Sequence, residues 1–304
     1  MTTFKFGLAH APLTPFTKDG IDFASYGKVL DFHLKHGAEQ LALPTHAGES
    51  VSLTADERKK LLEFAVSHVK GRAPIIVNVS EAGTALACSL AAHAGKAGAA
   101  ALIASVPYYW TPPQSMLVEH FSAIAKAGDV PLFVLNVPEE MNEVEIAPKS
   151  VVDLLGQSPN FAGLIDSSLD WQYMIEVVTL ARAVRPDFQF VSGTEYMISA
   201  AAVGATGMVS SIASVAPALV GNLYSLCRAE KFNDARPAQE KAAILFRAMR
   251  ERGASALKAA AKSMGRDCGV PRAPLPALGE ADTKALLAEL ASAGTPASEP
   301  RNWG

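Results

Sequence analysis

Eight short runs rich in Val, Ile, Leu and Ala recur along the chain, at residues 7–12, 40–43, 74–79, 99–106, 131–137, 161–165, 188–192 and 206–209. Each is followed by an amphipathic stretch of helical period. A strand that is apolar on both faces belongs to a parallel sheet covered by helices on both sides. Eight such alternations, with no Gly-rich phosphate turn after any of them, predict a closed α/β barrel of the (β/α)8 or TIM type rather than an open doubly wound sheet. Residues 217–291 then read as helix after helix without a strand. The expected division is a barrel core at 1–216, a C-terminal helical appendage at 217–294 within the same structural unit, and a tail at 295–304.

Composition narrows the function classes. A chain of 304 residues with 49% hydrophobic content and no compositional break fits one large domain. The formal charge of −3 and the lack of any Lys/Arg cluster give no field to hold a phosphate backbone, so nucleic acid is not an expected partner. The opening segment, 1–7, lacks the charged and apolar regions of a leader, and no stretch is apolar enough to span a bilayer. A cytoplasmic protein without a membrane partner is expected. Cys88, Cys227 and Cys268 are odd in number, far apart and flanked by small or apolar residues, which fits thiols in a reducing compartment and neither bridges nor a zinc cluster.

Local signals point to one end of the barrel. Thr54 with Glu57, ahead of Leu61, Leu62, Phe64, Ala65 and Val69, forms a capping box that starts a helix. Residues 44–50 are therefore a strand-to-helix loop at the C-terminal face, where barrels of this type keep their chemistry.

Seven motifs stand in a familiar order and spacing: Ala47-Gly48-Glu49-Ser50, Leu53-Thr54 with Glu57-Arg58, Pro107-Tyr108-Tyr109, Asn136-Val137-Pro138, Gly163-Leu164-Ile165-Asp166-Ser167-Ser168, Ser192-Gly193, and Gly204-Ala205-Thr206-Gly207. Together they resemble the dihydrodipicolinate synthase / N-acetylneuraminate lyase family over nearly the whole chain. The resemblance implies a class I lyase, in which a lysine on strand six forms a Schiff base with a 2-oxo acid such as pyruvate. It also implies a homotetramer built as a dimer of dimers, with the tyrosine matching Tyr109 lent across the tighter interface. No cofactor is implied.

The departures fall on the family's chemical positions. Ile165 stands where the resemblance places the lysine, and an isoleucine cannot condense with a ketone. Leu135 replaces the proton-shuttling tyrosine, His46-Ala47 replaces a pair of threonines, and Glu140 stands where the synthase branch has an arginine for a substrate carboxylate. That reversal of charge disfavours a dicarboxylate. Lys28, Lys35, Lys59, Lys60, Lys96, Lys126, Lys149, Lys241 and Lys258 are read on helices or in surface segments, none at a strand's C-terminal end.

His46 and Tyr109 are the candidate catalytic residues, His46 because an imidazole in a mouth loop serves as acid or base near neutral pH, or else as a partner for a local backbone group. The candidate substrate pocket comprises Ala47, Gly48, Glu49, Leu135, Asn136, Ile165, Asp166, Gly193, Glu195 and Val209. Within it, Glu49 also reads as a residue that holds the turn, and Asn136 as a tie between strand ends. Asp166 and Glu195 are expected at the mouth beside His46. The trio has the donors of a divalent-metal site, but its long-range spacing matches no ligand motif, Asp166 also reads as a helix cap, and no metal is assigned. Of His10 and Ala11 only one can face the interior, and the resemblance selects Ala11. Trp110, Trp171 and Tyr173 line either a pocket or a subunit contact.

Two functional readings follow. One is a lyase of aldolase or hydro-lyase type acting on a small oxo, hydroxy or sugar-derived carboxylic acid without a Schiff base. The other is a catalytically retired paralogue serving as a small-molecule sensor, regulatory subunit or scaffold.

Overall fold

The computed structural model describes residues 4–294 and 298–303. Residues 1–3 of the segment examined for a leader, and residues 295–297 and 304 of the expected tail, lie outside the described residues.

The barrel strands are β1 (Leu8–His10), β2 (Gln40–Leu43), β3 (Ile75–Asn78), β4 (Ala101–Ser105), β5 (Leu132–Asn136), β6 (Phe161–Asp166), β7 (Gln189–Ser192) and β8 (Gly207–Ser210). Each pairs in parallel with the next, and β8 closes on β1 through Leu8–Met208, Ala9–Val209 and His10–Ser210. All eight lie within or across the predicted runs. The covering helices are α1 (Phe23–Lys35), α2 (Ala55–Val69), α3 (Thr84–Ala97), α4 (Gln114–Gly128), α5 (Pro148–Gln157), α6 (Trp171–Val184), α7 (Met197–Ala202) and α8 (Pro217–Arg228). With one helix for each strand, α8 completes the barrel. The appended helices are α9 (Phe232–Arg250), α10 (Gly253–Ser263) and α11 (Glu280–Ser292), so they begin at Phe232 rather than at residue 217. Among the described residues no helix is long and apolar enough to cross a membrane.

Period-two alternation decides what fills the barrel. Phe6, Ala9, Ala42, Ile76, Ala101, Ile103, Phe133, Ile165 and Val191 form one buried cluster, with Leu135 and Val209 packed against it. The opposite strand faces meet the helices. His10 belongs to that outer set, its Nδ1 lying 3.1 Å from Nδ1 of His33 on α1, while Ala11, expected to face the interior, packs in the main core cluster beyond the end of β1. The capping box on α2 forms as expected, Thr54 Oγ1 accepting from the Glu57 amide at 3.2 Å and Glu57 Oε2 accepting from the Thr54 amide at 2.9 Å. All three cysteines are free, with Cys227 and Cys268 buried.

The C-terminal helices are fixed to the mouth loop by charge. Glu49, in a left-handed backbone conformation at φ 57°, places Oε1 2.6 Å from Nζ of Lys258 on α10, and its Oε2 accepts from the Arg272 amide at 2.8 Å. Lys258 also donates to the Val270 carbonyl and lies over the Phe16 ring. Arg272 stacks on the same ring and makes a two-armed bond to Glu57. Lys258 is on a helix as read, but it is only 2% exposed, so it is not a surface lysine. Burial pushes its ammonium below the usual lysine range, opposed by Glu49. The final described segment is tied down as well, the Glu299 carboxylate accepting from the amides of Ala218 and Leu219 at the start of α8.

Two outcomes follow. Lys258→Met leaves the Glu49 carboxylate buried without its cation and is expected to cost about 3–5 kcal/mol in urea unfolding, more than the double variant with Glu49→Gln. A smaller loss for the single variant than for the double would contradict the pairing. The second concerns acid. Burial holds His10 down to about 3, with His36 adding to it, and holds His120 down to about 4. Because the folded values lie below the unfolded one, this stability is present above about pH 6.5 and is lost as the pH falls. Buried carboxyls raised by desolvation, such as Asp166 and Glu195, act in the opposite sense. The test is therefore differential: between pH 7.5 and 5.5, His120→Gln is expected to lose about 1 kcal/mol less than the unaltered chain.

Candidate active site

The C-terminal ends of the strands open onto a rim built from three loops and the α9–α10 corner. His46, after β2, sets its Nδ1 3.7 Å from Oε2 of Glu140, in the 3-10 turn Pro138–Glu140 after β5. The imidazole Nε2 lies 3.7 Å from where a Cβ on Gly253 would stand, at φ 59°. Gly253 thus lets the first turn of α10 pass against the imidazole, in a conformation that disfavours any other residue. The adjacent Glu139 pairs with Arg250 at the end of α9. Tyr196, after β7, packs edge-on against Phe246 of α9 at 5.7 Å. The appended helices therefore overhang the mouth.

Below the rim the walls are apolar. Leu135 and Ile165 are paired neighbours on β5 and β6, and both pack in the interior with Val209. Ile165 is 1% exposed, so the group at this position is a hydrocarbon in a hydrocarbon setting. Ser167, two residues on and by alternation on the same side, presents a hydroxyl that a Cβ on Gly193 would overlap. The Thr45 hydroxyl, next to His46, is buried without a hydrogen-bond partner among the described residues. Sequence reasoning missed both hydroxyls. Ser167 was legible from alternation, whereas Thr45 had no signal.

Several pocket candidates are used elsewhere. Asp166 points to the face opposite Ile165, where its Oδ1 accepts from Asn136 Nδ2 at 2.8 Å and its Oδ2 from Ser168 Oγ at 2.9 Å. Asn136 in turn accepts from the Ile146 amide, which makes it the strand tie the sequence suggested. Glu195 is buried, and its Oε1 accepts from Ser210 Oγ at 2.7 Å and from the Ile212 amide at 3.0 Å. Burial raises both carboxyls above the usual range, partly offset by these bonds. His46 is instead exposed at the rim, and among the described residues no three His, Cys, Asp or Glu side chains gather as a metal ion would require. The expectation of the trio at one mouth is thus corrected: two of its members bond strand ends and the turns that follow them. Glu49 is likewise engaged by Lys258 and Arg272, while Ala47 is buried in the main core and Gly48 bonds Thr14 through its carbonyl.

Tyr109 does not meet His46 within the chain. It is 78% exposed at φ 76°, with its ring edge-on to Trp110. Trp171 and Trp110 are also exposed, whereas Tyr173 is buried and donates to the Ile146 carbonyl, so it lines no pocket. The neighbouring Tyr108 is held by Glu81, which Arg58 also grips.

Fold and mouth define a (β/α)8 barrel with its candidate site at the strand C-termini and appended helices roofing it. The chain belongs to the dihydrodipicolinate synthetase family, whose sequence model matches residues 5–293. It is 29% identical over 296 residues to a 4-hydroxy-tetrahydrodipicolinate synthase of Thermoanaerobacter sp. (strain X514), covering 97% of this chain and 98% of that protein. It is 32% identical over 290 residues to the enzyme of that name from Dechloromonas aromatica (strain RCB), covering 93% and 97%. The crystal structure of dihydrodipicolinate synthase from Aquifex aeolicus superposes with a TM-score of 0.90 at 28% identity, covering 96% of this chain and 99% of that one.

The close fit between β6 and β7 gives a direct check on this geometry. Gly193→Ala would press a methyl onto the Ser167 hydroxyl and the Asp166 carbonyl, with an expected loss of about 1–3 kcal/mol in thermal or urea unfolding. Adding Ser167→Ala is expected to recover part of it, and no recovery would contradict the placement of the hydroxyl.

Proposed function

We propose that this chain is a lyase of aldolase or hydro-lyase type on a small oxo, hydroxy or sugar-derived acid, working by acid/base chemistry without a Schiff base. The observation that carries the reading is the His46–Glu140 pair at the rim of an apolar barrel interior closed by Ile165. A 3.7 Å separation is longer than a hydrogen bond, and catalytic pairs commonly tighten when the substrate fills the site. Glu140 orients the imidazole and neutralises it when it takes a proton. In the retro-aldol direction His46 takes the proton of the hydroxyl on the carbon β to the 2-oxo group. The bond between that carbon and the carbon next to the oxo group then breaks, the former leaves as an aldehyde, and the electron pair passes into the 2-oxo acid as its enolate, whose carbon takes a proton back from the His46 imidazolium. The hydroxyls of Ser167 and Thr45 are the available donors to the developing oxyanion.

Tyr109 enters this reading as a group offered to a second copy of the chain. Its exposure and its left-handed backbone support the role the family resemblance gives it, within a dimer-of-dimers tetramer. Sedimentation of the purified protein checks the assembly. The retired-enzyme alternative differs in one outcome: it allows ligand binding and forbids turnover.

The test is release of a 2-oxo acid from a panel of 4-hydroxy-2-oxo acids and sugar acids, followed with lactate dehydrogenase or semicarbazide. The unaltered chain is expected to turn over at least one. His46→Asn is expected to lower kcat by about 100-fold or more, and Glu140→Gln by about 10-fold, with unchanged melting temperatures. Undiminished turnover in His46→Asn would sink the proposal.

A further inference from the structure

We infer that Arg250 receives the single carboxylate of the ligand at the mouth, and that Glu139 occupies the guanidinium until the ligand arrives. The inference rests on the small-acid reading above, and it adds the residue that selects the acid and the kind of acid selected.

Arg250 is the last residue of α9, and its Nη2 meets the Glu139 carboxylate. Glu140 beside it faces His46, and Nε2 of His46 lies against Gly253, three residues beyond Arg250. The guanidinium is therefore held on the same rim as the candidate base. It lies 5.8 Å from the centroid of Phe246, one turn back on α9, whose ring is backed by Tyr196. Three other cations of the C-terminal region are committed within the fold. Lys258 is taken by Glu49, Arg272 by Glu57, and Arg252 by Glu289. Among the described residues the ion pair that Arg250 makes is with Glu139, a side chain that is itself 68% exposed.

Charge and exposure set how this contact behaves. A solvent-exposed ion pair is weakly held, because water screens it and two mobile side chains must be ordered to keep it. A ligand carboxylate exchanges for Glu139 at little cost, because the displaced side chain returns to water. The planar guanidinium takes that carboxylate through two parallel N–H donors, which fixes its orientation at the rim beside Glu140 and His46. Glu139 and Glu140 then remain beside the bound acid as two negative charges. They leave no place for a second carboxylate, so the preferred ligand is a monocarboxylate.

The experiment is isothermal titration of the full-length protein with pyruvate, 2-oxobutyrate, 2-oxoglutarate and the neutral analogue hydroxyacetone at fixed ionic strength. A monocarboxylate is expected to bind the unaltered chain, and 2-oxoglutarate and hydroxyacetone at least tenfold more weakly. Arg250→Gln is expected to weaken the monocarboxylate at least tenfold. Glu139→Gln is expected to tighten it severalfold, because the resident competitor is gone, and Arg250→Lys to restore part of the loss. Both positions are at the surface, and unchanged melting temperatures without ligand show that the variants fold. Binding by Arg250→Gln equal to that of the unaltered chain, weaker binding by Glu139→Gln, or no binding of either monocarboxylate would each overturn the inference. Its failure is separable from failure of the acid/base reading. Unchanged binding in Arg250→Gln with lost turnover in His46→Asn removes Arg250 alone. The reverse pair of results removes His46 alone.

Discussion

Glu49 and Lys258 meet at 2.6 Å, both buried, and the arrangement of the mouth depends on that contact. Two charges taken out of water cost several kcal/mol each, and their attraction offsets this only when the remaining donors and acceptors are satisfied. Here several bonds help: Arg272 donates its amide to Glu49, Lys258 reaches the Val270 carbonyl, and the Phe16 ring covers both cations. The consequence is geometrical. The loop carrying His46 and the helix carrying Gly253 cannot move apart without uncovering a paired charge, so a residue of the second barrel strand's loop and a residue of the tenth helix stay in contact.

Within that frame the site divides into an apolar floor and a charged rim. The floor, with Leu135, Ile165 and Val209, has no nucleophile, and the buried carboxyls nearby bond strand ends and the turns that follow them. Asp166 serves Asn136 and Ser168, and Glu195 serves Ser210 and the turn after β8. Charged pairs stand at the rim instead. There His46 with Glu140 and Arg250 with Glu139 form two acid–base pairs on three separate stretches of chain. A positive charge nonetheless stands beside this turn, on Arg250 of α9.

The barrel was readable from the sequence because strands buried on both faces announce themselves as apolar runs, and all eight were found. The eighth helix was harder to separate from the appended ones, since nothing in an amphipathic pattern says which partner a helix covers. Alternation also separates Ile165 from Asp166 and places Ser167 with the former, but proximity along the chain hid this and put Asp166 at the mouth. Glu140 drew notice only as a reversed charge. That it faces His46 depends on where two loops 94 residues apart come to rest, and no local pattern encodes this. Arg250 was invisible for the same reason: an arginine at the end of an amphipathic helix reads as a solvated cation that suits the helix dipole.

The most direct test of the central claim, that Ile165 removes the covalent step, is borohydride trapping. The purified protein is incubated with pyruvate and longer 2-oxo acids and reduced, and its intact mass is measured beside a lysine-bearing homologue. An unshifted mass for this chain, with an adduct on the homologue, is the predicted result. A reduced adduct on this chain would show that another lysine forms the iminium, with Lys258 the first to examine as a buried amine, and would contradict the non-covalent account.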